Sequence, residues 1–175
     1  MNVKQLMIGV GFSMLAAANV PALAADAKTL PGAACHPNTS TPTAFYIGSN
    51  GMLINNSTAT LTVVCPITRD VMAANNSNGI SNAQVYVVDN NNLSANARVT
   101  CILESRATNS NVVETFTDNS AAGASPAVQV LDDYADISSG VNGYYYFRCD
   151  IPGTQTVSNN VNRSGIVMYR WSETE

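Results

Sequence analysis

NGYYYFRCDI, residues 142–151, decides how the rest of the chain is read. Tyr145, Phe147 and Cys149 fall on one side of an extended backbone, and Tyr144, Tyr146 and Arg148 on the other. Successive side chains of a strand point to opposite faces, and aromatic residues pack well on a pleated surface. The run therefore predicts a half-buried strand with a cysteine on its apolar side. The same grammar recurs around two other cysteines. TATLTVVCPI (58–67) sets Leu61, Val63 and Cys65 against Thr60, Thr62 and Val64; ARVTCILESR (97–106) sets Val99, Cys101 and Leu103 against Thr100, Ile102 and Glu104.

Six more segments read as strands: TAFYIG (43–48), GMLIN (51–55), AQVYVVD (83–89), VVETFTD (112–118), AVQVLDD (127–133) and GIVMYRW (165–171). Between them lie NNSNGISN (75–82), NNNLSAN (90–96), NSAAGASP (119–126) and DISSGVNG (136–143), rich in residues that adopt turn conformations at low cost. DYADISSG (133–140) has room for one helical turn. About nine short strands with turn-rich joints predict an all-β chain: two packed antiparallel sheets in a β-sandwich, jelly-roll or immunoglobulin-like, with a closed barrel second. The three cysteine strands are not a repeat array, since their spacings of 36 and 48 residues are unequal.

Cys35, Cys65, Cys101 and Cys149 form an even set. Export makes them two disulfides, and the pairing Cys35–Cys65 with Cys101–Cys149 lets each bridge close a neighbouring part of the chain. Export itself is expected from residues 1–24: Lys4, then the apolar LMIGVGFSMLAAANV, then PALA and a cut after Ala24, with Ala25 as the one-residue alternative. The apolar part is short of the about 20 residues a stable span needs, so the mature chain is expected to have no membrane insertion. Gly32 stands where a lipoprotein signal before Cys35 would carry a large aliphatic residue. Residues 25–175 then form one domain, periplasmic or secreted.

Seven basic residues remain after Lys4 is removed, against twelve acidic ones, a formal charge of −5. With its arginines scattered, such a chain offers no footprint for a phosphate backbone, which excludes nucleic acid as a partner. Zinc would need closely spaced ligand pairs, and no cofactor or metal is expected. His36, the single histidine, follows Cys35 directly and points away from it on an extended chain, a poor base for a thiol. GASPA (123–127) lacks the last glycine of a nucleophile elbow. Asp132, Asp133 and Asp136 lie on one loop, whereas glycoside cleavage needs carboxyls on opposite sides of a bond. DNNNLSAN (89–96) starts like a calcium loop at Asp89 and Asn91 but places Leu93 and Ser94 where an oxygen ligand and a glycine belong. These segments read as solvated acidic turns. The Asn-X-Ser/Thr triplets at Asn38, Asn55, Asn56, Asn75, Asn92 and Asn162 read as chance in an Asn-rich chain with a bacterial leader.

Tyrosines are the remaining clue. Tyr144 and Tyr146 should face away from Cys149, and Tyr86 and Tyr169 join them on outer faces if the alternation holds. A tyrosine offers a flat apolar ring with a polar tip, suited to stacking on sugar rings. SGIVMYRW invites comparison with the last strand of pilus subunits, but SETE after Trp171 departs from their terminal pattern.

NNSTATLTVVCPITRD, ARVTCILES, GYYYFRCDIP and NRSGIVMYR together resemble a loose group of short exported bacterial proteins with no assigned activity. The resemblance runs over most of the chain from Cys35 onward. It implies a disulfide-bearing β-sandwich and carries over no functional residue. The expectation is an exported, non-enzymatic envelope or extracellular interaction module whose partner is a protein or a glycan. The alternative is a carbohydrate-binding module with Tyr144, Tyr146 and Tyr86 as its ligand surface.

Overall fold

The computed structural model describes residues 27–69, 79–91, 97–123, 125–132, 134, 137 and 143–173. The expected leader at 1–24, Asp133, Asp136 and the asparagines at 75 and 92 lie outside them. The described chain forms β1 (Ala27–Pro31), β2 (His36–Pro37), β3 (Phe45–Ile47), β4 (Leu53–Asn55), β5 (Leu61–Ile67), β6 (Ile80–Asp89) and β7 (Thr100–Arg106). It continues through β8 (Val112–Asn119), β9 (Ser125–Leu131), β10 (Tyr144–Ile151), β11 (Gln155–Val157), β12 (Asn160–Asn162) and β13 (Gly165–Glu173). Two 3-10 turns, Gly32–Ala34 and Pro42–Ala44, are the only helical pieces among the described residues.

All nine expected strands are present. The four additional ones are short: β1 and β2 at the start, and the β11–β12 hairpin, whose turn residues Ser158 and Asn159 both take positive φ, the geometry that matches strand twist in a two-residue turn.

The strands make two main antiparallel sheets. The front sheet runs β2-β5-β10-β7-β8; the back sheet runs β3-β4-β13-β6-β9, with β1 also pairing along β13. Among the eight central strands, β4 pairs with β13, β5 with β10, β6 with β9 and β7 with β8. This nested order is that of one long hairpin folded over on itself. Of the two sandwich types expected it is the jelly roll.

The inner faces interlock through alternating residues. Leu61, Val63, Cys65 and Ile67 of β5 and Tyr145, Phe147, Cys149 and Ile151 of β10 are buried, as are Ala83, Val85 and Val87 of β6. A chain of aromatic contacts crosses the core: Tyr134 edge-on to Phe147 (centroids 5.3 Å), Phe147 edge-on to Tyr169 (6.0 Å), Tyr169 stacked on Trp171 (5.8 Å). Such pairs contribute beyond area alone, by roughly 1 kcal/mol each. The Tyr134, Tyr145 and Tyr169 hydroxyls donate to the backbone carbonyls of Cys101, Ile137 and Pro66, so the buried polar tips are satisfied. Burial pushes the Tyr169 phenol up to about 12.

Tyr169 thus departs from the outward position expected of it. The cause is a β-bulge: Ile166 pairs with Val87 and Met168 with the next residue, Tyr86. One extra residue at Val167 reverses the alternation, so that Ile166, Tyr169, Trp171 and Glu173 all face inward.

The cysteines pair as expected, Cys35 with Cys65 and Cys101 with Cys149. Both bridges lie in the front sheet. Cys101 and Cys149 stand directly opposite each other in the β7–β10 register, and Cys35 precedes β2, which pairs with β5. Gly32 lies between β1 and β2, where a Cβ would run into the Ile166 carbonyl oxygen. Only glycine lets the chain pass that close to β13 on its way from one sheet to the other.

Candidate functional site

The outer face of the front sheet is built by the residues that alternate with the core. On β10 these are Tyr144, Tyr146, Arg148 and Asp150; the β7 partners in register are Arg106, Glu104, Ile102 and Thr100. On the other flank, β5 sets Pro66, Val64 and Thr62 opposite Tyr146, Arg148 and Asp150. Neighbouring side chains on one face stand close enough to interact, and three of them converge on one carboxylate.

Glu104 is that carboxylate, buried although it lies on the outer face. Its Oε2 accepts from the Tyr146 hydroxyl at 2.6 Å and from Arg106 Nη2 at 2.7 Å and Nε at 3.1 Å. Its Oε1 accepts from Arg148 Nε at 2.9 Å. Arg106 Nε also donates to the Tyr146 oxygen at 2.6 Å, and its Nη1 to the Ser110 carbonyl at 2.8 Å. The Arg106 guanidinium lies 5.7 Å from the Tyr146 ring centroid, a cation–π contact that holds the ring from one side.

Burial pushes the Glu104 carboxyl up, but the hydrogen bonds from Tyr146, Arg148 and Arg106 outweigh it and hold the group below the ordinary carboxylate range. The bonds to Glu104 and Tyr146 raise Arg106 above its usual value. Burial and the bond to Glu104 push the Tyr146 phenol up against the opposing pull of Arg106. All these shifts favour the protonation states already present at neutral pH. Glu104 is a fixed anion inside a cationic clasp, which suits it to positioning and not to proton transfer.

The clasp fixes Tyr146, and Tyr146 carries Tyr144. The two rings lie 6.1 Å apart at 22°. Tyr144 is 44% exposed, and Arg148 keeps 41% of its side-chain surface. The result is a stacked aromatic pair on the outer face of the sheet, flanked by a partly exposed arginine.

The other expected residues are placed elsewhere. Tyr86 lies on the outer side of the back sheet, half-buried, donating to Gln84 Oε1 at 3.0 Å. It belongs to no common surface with Tyr144 and Tyr146. His36 is exposed in β2 beside a cysteine already bound in a disulfide. Asp89, expected in a solvated turn, is fully buried. It accepts from the Ser120 and Ser164 hydroxyls at 2.5 and 3.0 Å and from the Asn91 and Val99 backbone N–H groups at 3.1 and 3.2 Å. Four donors turned toward one carboxylate tie the ends of β6, β7, β8 and β13 together, the reverse of a cation site. Asn55 is also buried: its amide donates to the Ala59, Ile151 and Pro152 carbonyls, so it is no acceptor for a glycan. No group of three or more metal-ligating side chains occurs among the described residues, and no helix there is long and apolar enough to cross a membrane.

No protein-family model matches this chain, and no curated protein matches it significantly. Among solved structures it is similar to the mosquito-larvicidal Cry4Aa toxin from Bacillus thuringiensis, at 11% identity and a TM-score of 0.41 over 85% of this chain and 24% of the toxin. It is similar to the arabinose-bound MgGH51 α-L-arabinofuranosidase at 12% identity and TM-score 0.42, over 80% of this chain and 23% of that one. A third likeness is to the family 11 carbohydrate-binding module of the cellulosomal cellulase Lic26A-Cel5E of Clostridium thermocellum, at 8% identity and TM-score 0.39, over 83% and 85% of the two chains. The chain thus spans about a quarter of the length of the first two. At these scores the likenesses assign neither a family nor an activity.

Proposed function

We propose that this chain is an exported, non-enzymatic binding module that recognises a carbohydrate on the outer face of its front sheet. One observation carries the reading: Tyr144 and Tyr146 form a paired aromatic platform held on a solvent-facing surface by the Glu104, Arg106 and Arg148 clasp. Aromatic residues that served only strand formation would need no such clasp. A ring with a polar tip stacks on the apolar face of a sugar, and the arginine N–H groups and the tyrosine oxygen offer bonds to its hydroxyls. Export rests on the leader-like residues 1–24 together with two disulfides, which persist in oxidising compartments. The non-enzymatic reading rests on Glu104 being committed to three side chains.

The test is a glycan array probed with the mature, disulfide-intact protein. Binding at millimolar or tighter affinity that disappears in Tyr144→Ala is the expected result. Silence across the array would remove the carbohydrate reading. A second reading, a protein partner, is favoured by the exposed valines of the edge strands, Val112 and Val113 on β8 and Val128 and Val130 on β9, and most by β9, whose residues Ser125–Leu131 carry no charge, because uncharged edges invite strand addition. A pull-down with the tagged chain would separate the two.

A further inference from the structure

The outer face of the front sheet does not end at the tyrosines. At the far end of β10 a hollow of about 470 Å³ is lined by Asn91, Arg98, Thr100, Asp150, Pro152 and Gly153, among others. Thr100 and Asp150 face each other in the β7–β10 register. They continue the outward-facing alternation that begins with Tyr144, so the hollow opens on the face that carries the platform. Asp150 Oδ1 accepts from the Thr62 hydroxyl at 2.6 Å, and the Thr100 hydroxyl donates to Asn119 Oδ1 at 2.7 Å. Asn91 Nδ2 donates to the Gly153 carbonyl at 2.9 Å, which fixes the hollow's floor.

Resting on the carbohydrate reading above, we infer that the platform and this hollow are two ends of one track along β10, and that the ligand is an extended, uncharged oligosaccharide. From Tyr144 to Asp150 the strand rises about 20 Å at the usual spacing, the span of about four sugar units. The surface between is formed by Arg148, Val64 and Ile102, all half-buried. The charges along the track nearly balance, Arg106 and Arg148 beside Glu104 and then Asp150 beside Arg98. Balance argues against a polyanion and for a neutral chain. A peptide in extended form would seek the unpaired backbone of a sheet edge, whereas this track lies on a face whose backbone groups are already paired and presents rings, hydroxyls, amides and charged tips.

The test measures affinity of the mature, disulfide-intact chain for cello-, xylo-, manno- and chito-oligosaccharides of two to six units by calorimetry. In a series that binds, the Kd is expected to fall at least tenfold from dimer to tetramer and to level off beyond it. Thr100→Val combined with Asp150→Asn should abolish that gain, so that dimer and tetramer bind the double variant with equal affinity. Should the double variant fold poorly, amide shifts of the native chain decide: Thr100 and Gly153 should move with the tetramer and stay still with the dimer. Affinity independent of length, or unmoved Thr100 and Gly153 amides, would overturn the track and leave the platform reading intact. Failure of every series to bind would overturn both, and saturation of the same amides by an extended peptide alone would replace the sugar with a polypeptide.

Discussion

The two sheets of this sandwich share one core but are secured by different means. The front sheet carries both disulfides, Cys101–Cys149 joining β7 to β10 and Cys35–Cys65 tying the chain just before β2 to β5, and on its outer side the Glu104 clasp. The back sheet has no covalent link among the described residues and depends on β13, which pairs with β1 and β4 on one side and β6 on the other. The consecutive strands β1 and β2 show the contrast between Ala27 and Pro37. β1 joins the back sheet with a Lys28–Glu173 ion pair, and β2 joins the front sheet next to Cys35–Cys65. The braced sheet is the one that presents the tyrosine platform. A ligand surface loses less entropy on binding when its side chains are already held, and cross-links in the supporting sheet keep the strands under those side chains in register.

The largest expected effect therefore comes from cutting the brace. The Cys101–Cys149 bridge closes a separation of 48 residues and Cys35–Cys65 one of 30. The chain-entropy relation makes these worth about 4 and about 3.6 kcal/mol. Cys101→Ala with Cys149→Ala should lower the urea unfolding free energy by about 4 kcal/mol and speed amide exchange in β7 and β10 more than in β6 and β13. A uniform rise in exchange over both sheets would mean that the bridge stabilises the whole domain without favouring the sheet that contains it.

Next comes the clasp, with a pH signature. Because the Glu104 carboxyl titrates below its ordinary value in the folded chain, its ionised form favours the folded state. That contribution is fully present above the unfolded value of about 4.3 and is lost as pH falls through the folded value. Glu104→Gln should cost about 1–2 kcal/mol near pH 7, discounted for the half-exposed Arg148. The gap between native and variant should close as the pH is lowered below 4. A gap that stays constant down to pH 2 would mean that the carboxylate charge contributes nothing and that shape alone holds the platform.

The contrast between the sheets was partly legible in the sequence. Nine strands and the outward position of Tyr144 and Tyr146 follow from period-two alternation, because the chain there keeps one register along each strand, and both bridges follow from an even cysteine set paired between neighbouring parts of the chain. Alternation failed at Tyr169, where one inserted residue at Val167 reverses which side faces in, and nothing local in GIVMYRW marks the insertion. Glu104 was readable as an outward residue, but its burial was not, since Tyr146 and Arg148 reach it from 42 and 44 residues away. Asp89 was misread for the same reason: its donors Ser120 and Ser164 come from other strand ends. Strands of two or three residues such as β2 and β11 are too short for alternation to register at all.

The smallest expected effect tests the weaker attachment. Lys28 Nζ lies 2.5 Å from Glu173 Oε1, with 18% and 4% of the two side chains exposed. β1 pairs five residues with β13 in an exposed, half-buried alternation, and its Leu30 packs against the core. Lys28→Met keeps the apolar stem and removes the charge. It should cost about 1 kcal/mol, in the range of partly screened ion pairs. The loss should be local, because Gly32 and the Cys35–Cys65 bridge anchor the chain just beyond β1. Amides of Thr29 and Leu30 should then exchange at least fivefold faster while those of β5 and β10 stay unchanged. Equal acceleration in β10 would show that the first strand is integral to the whole sandwich, and the distinction between a braced and an unbraced sheet would fall with it.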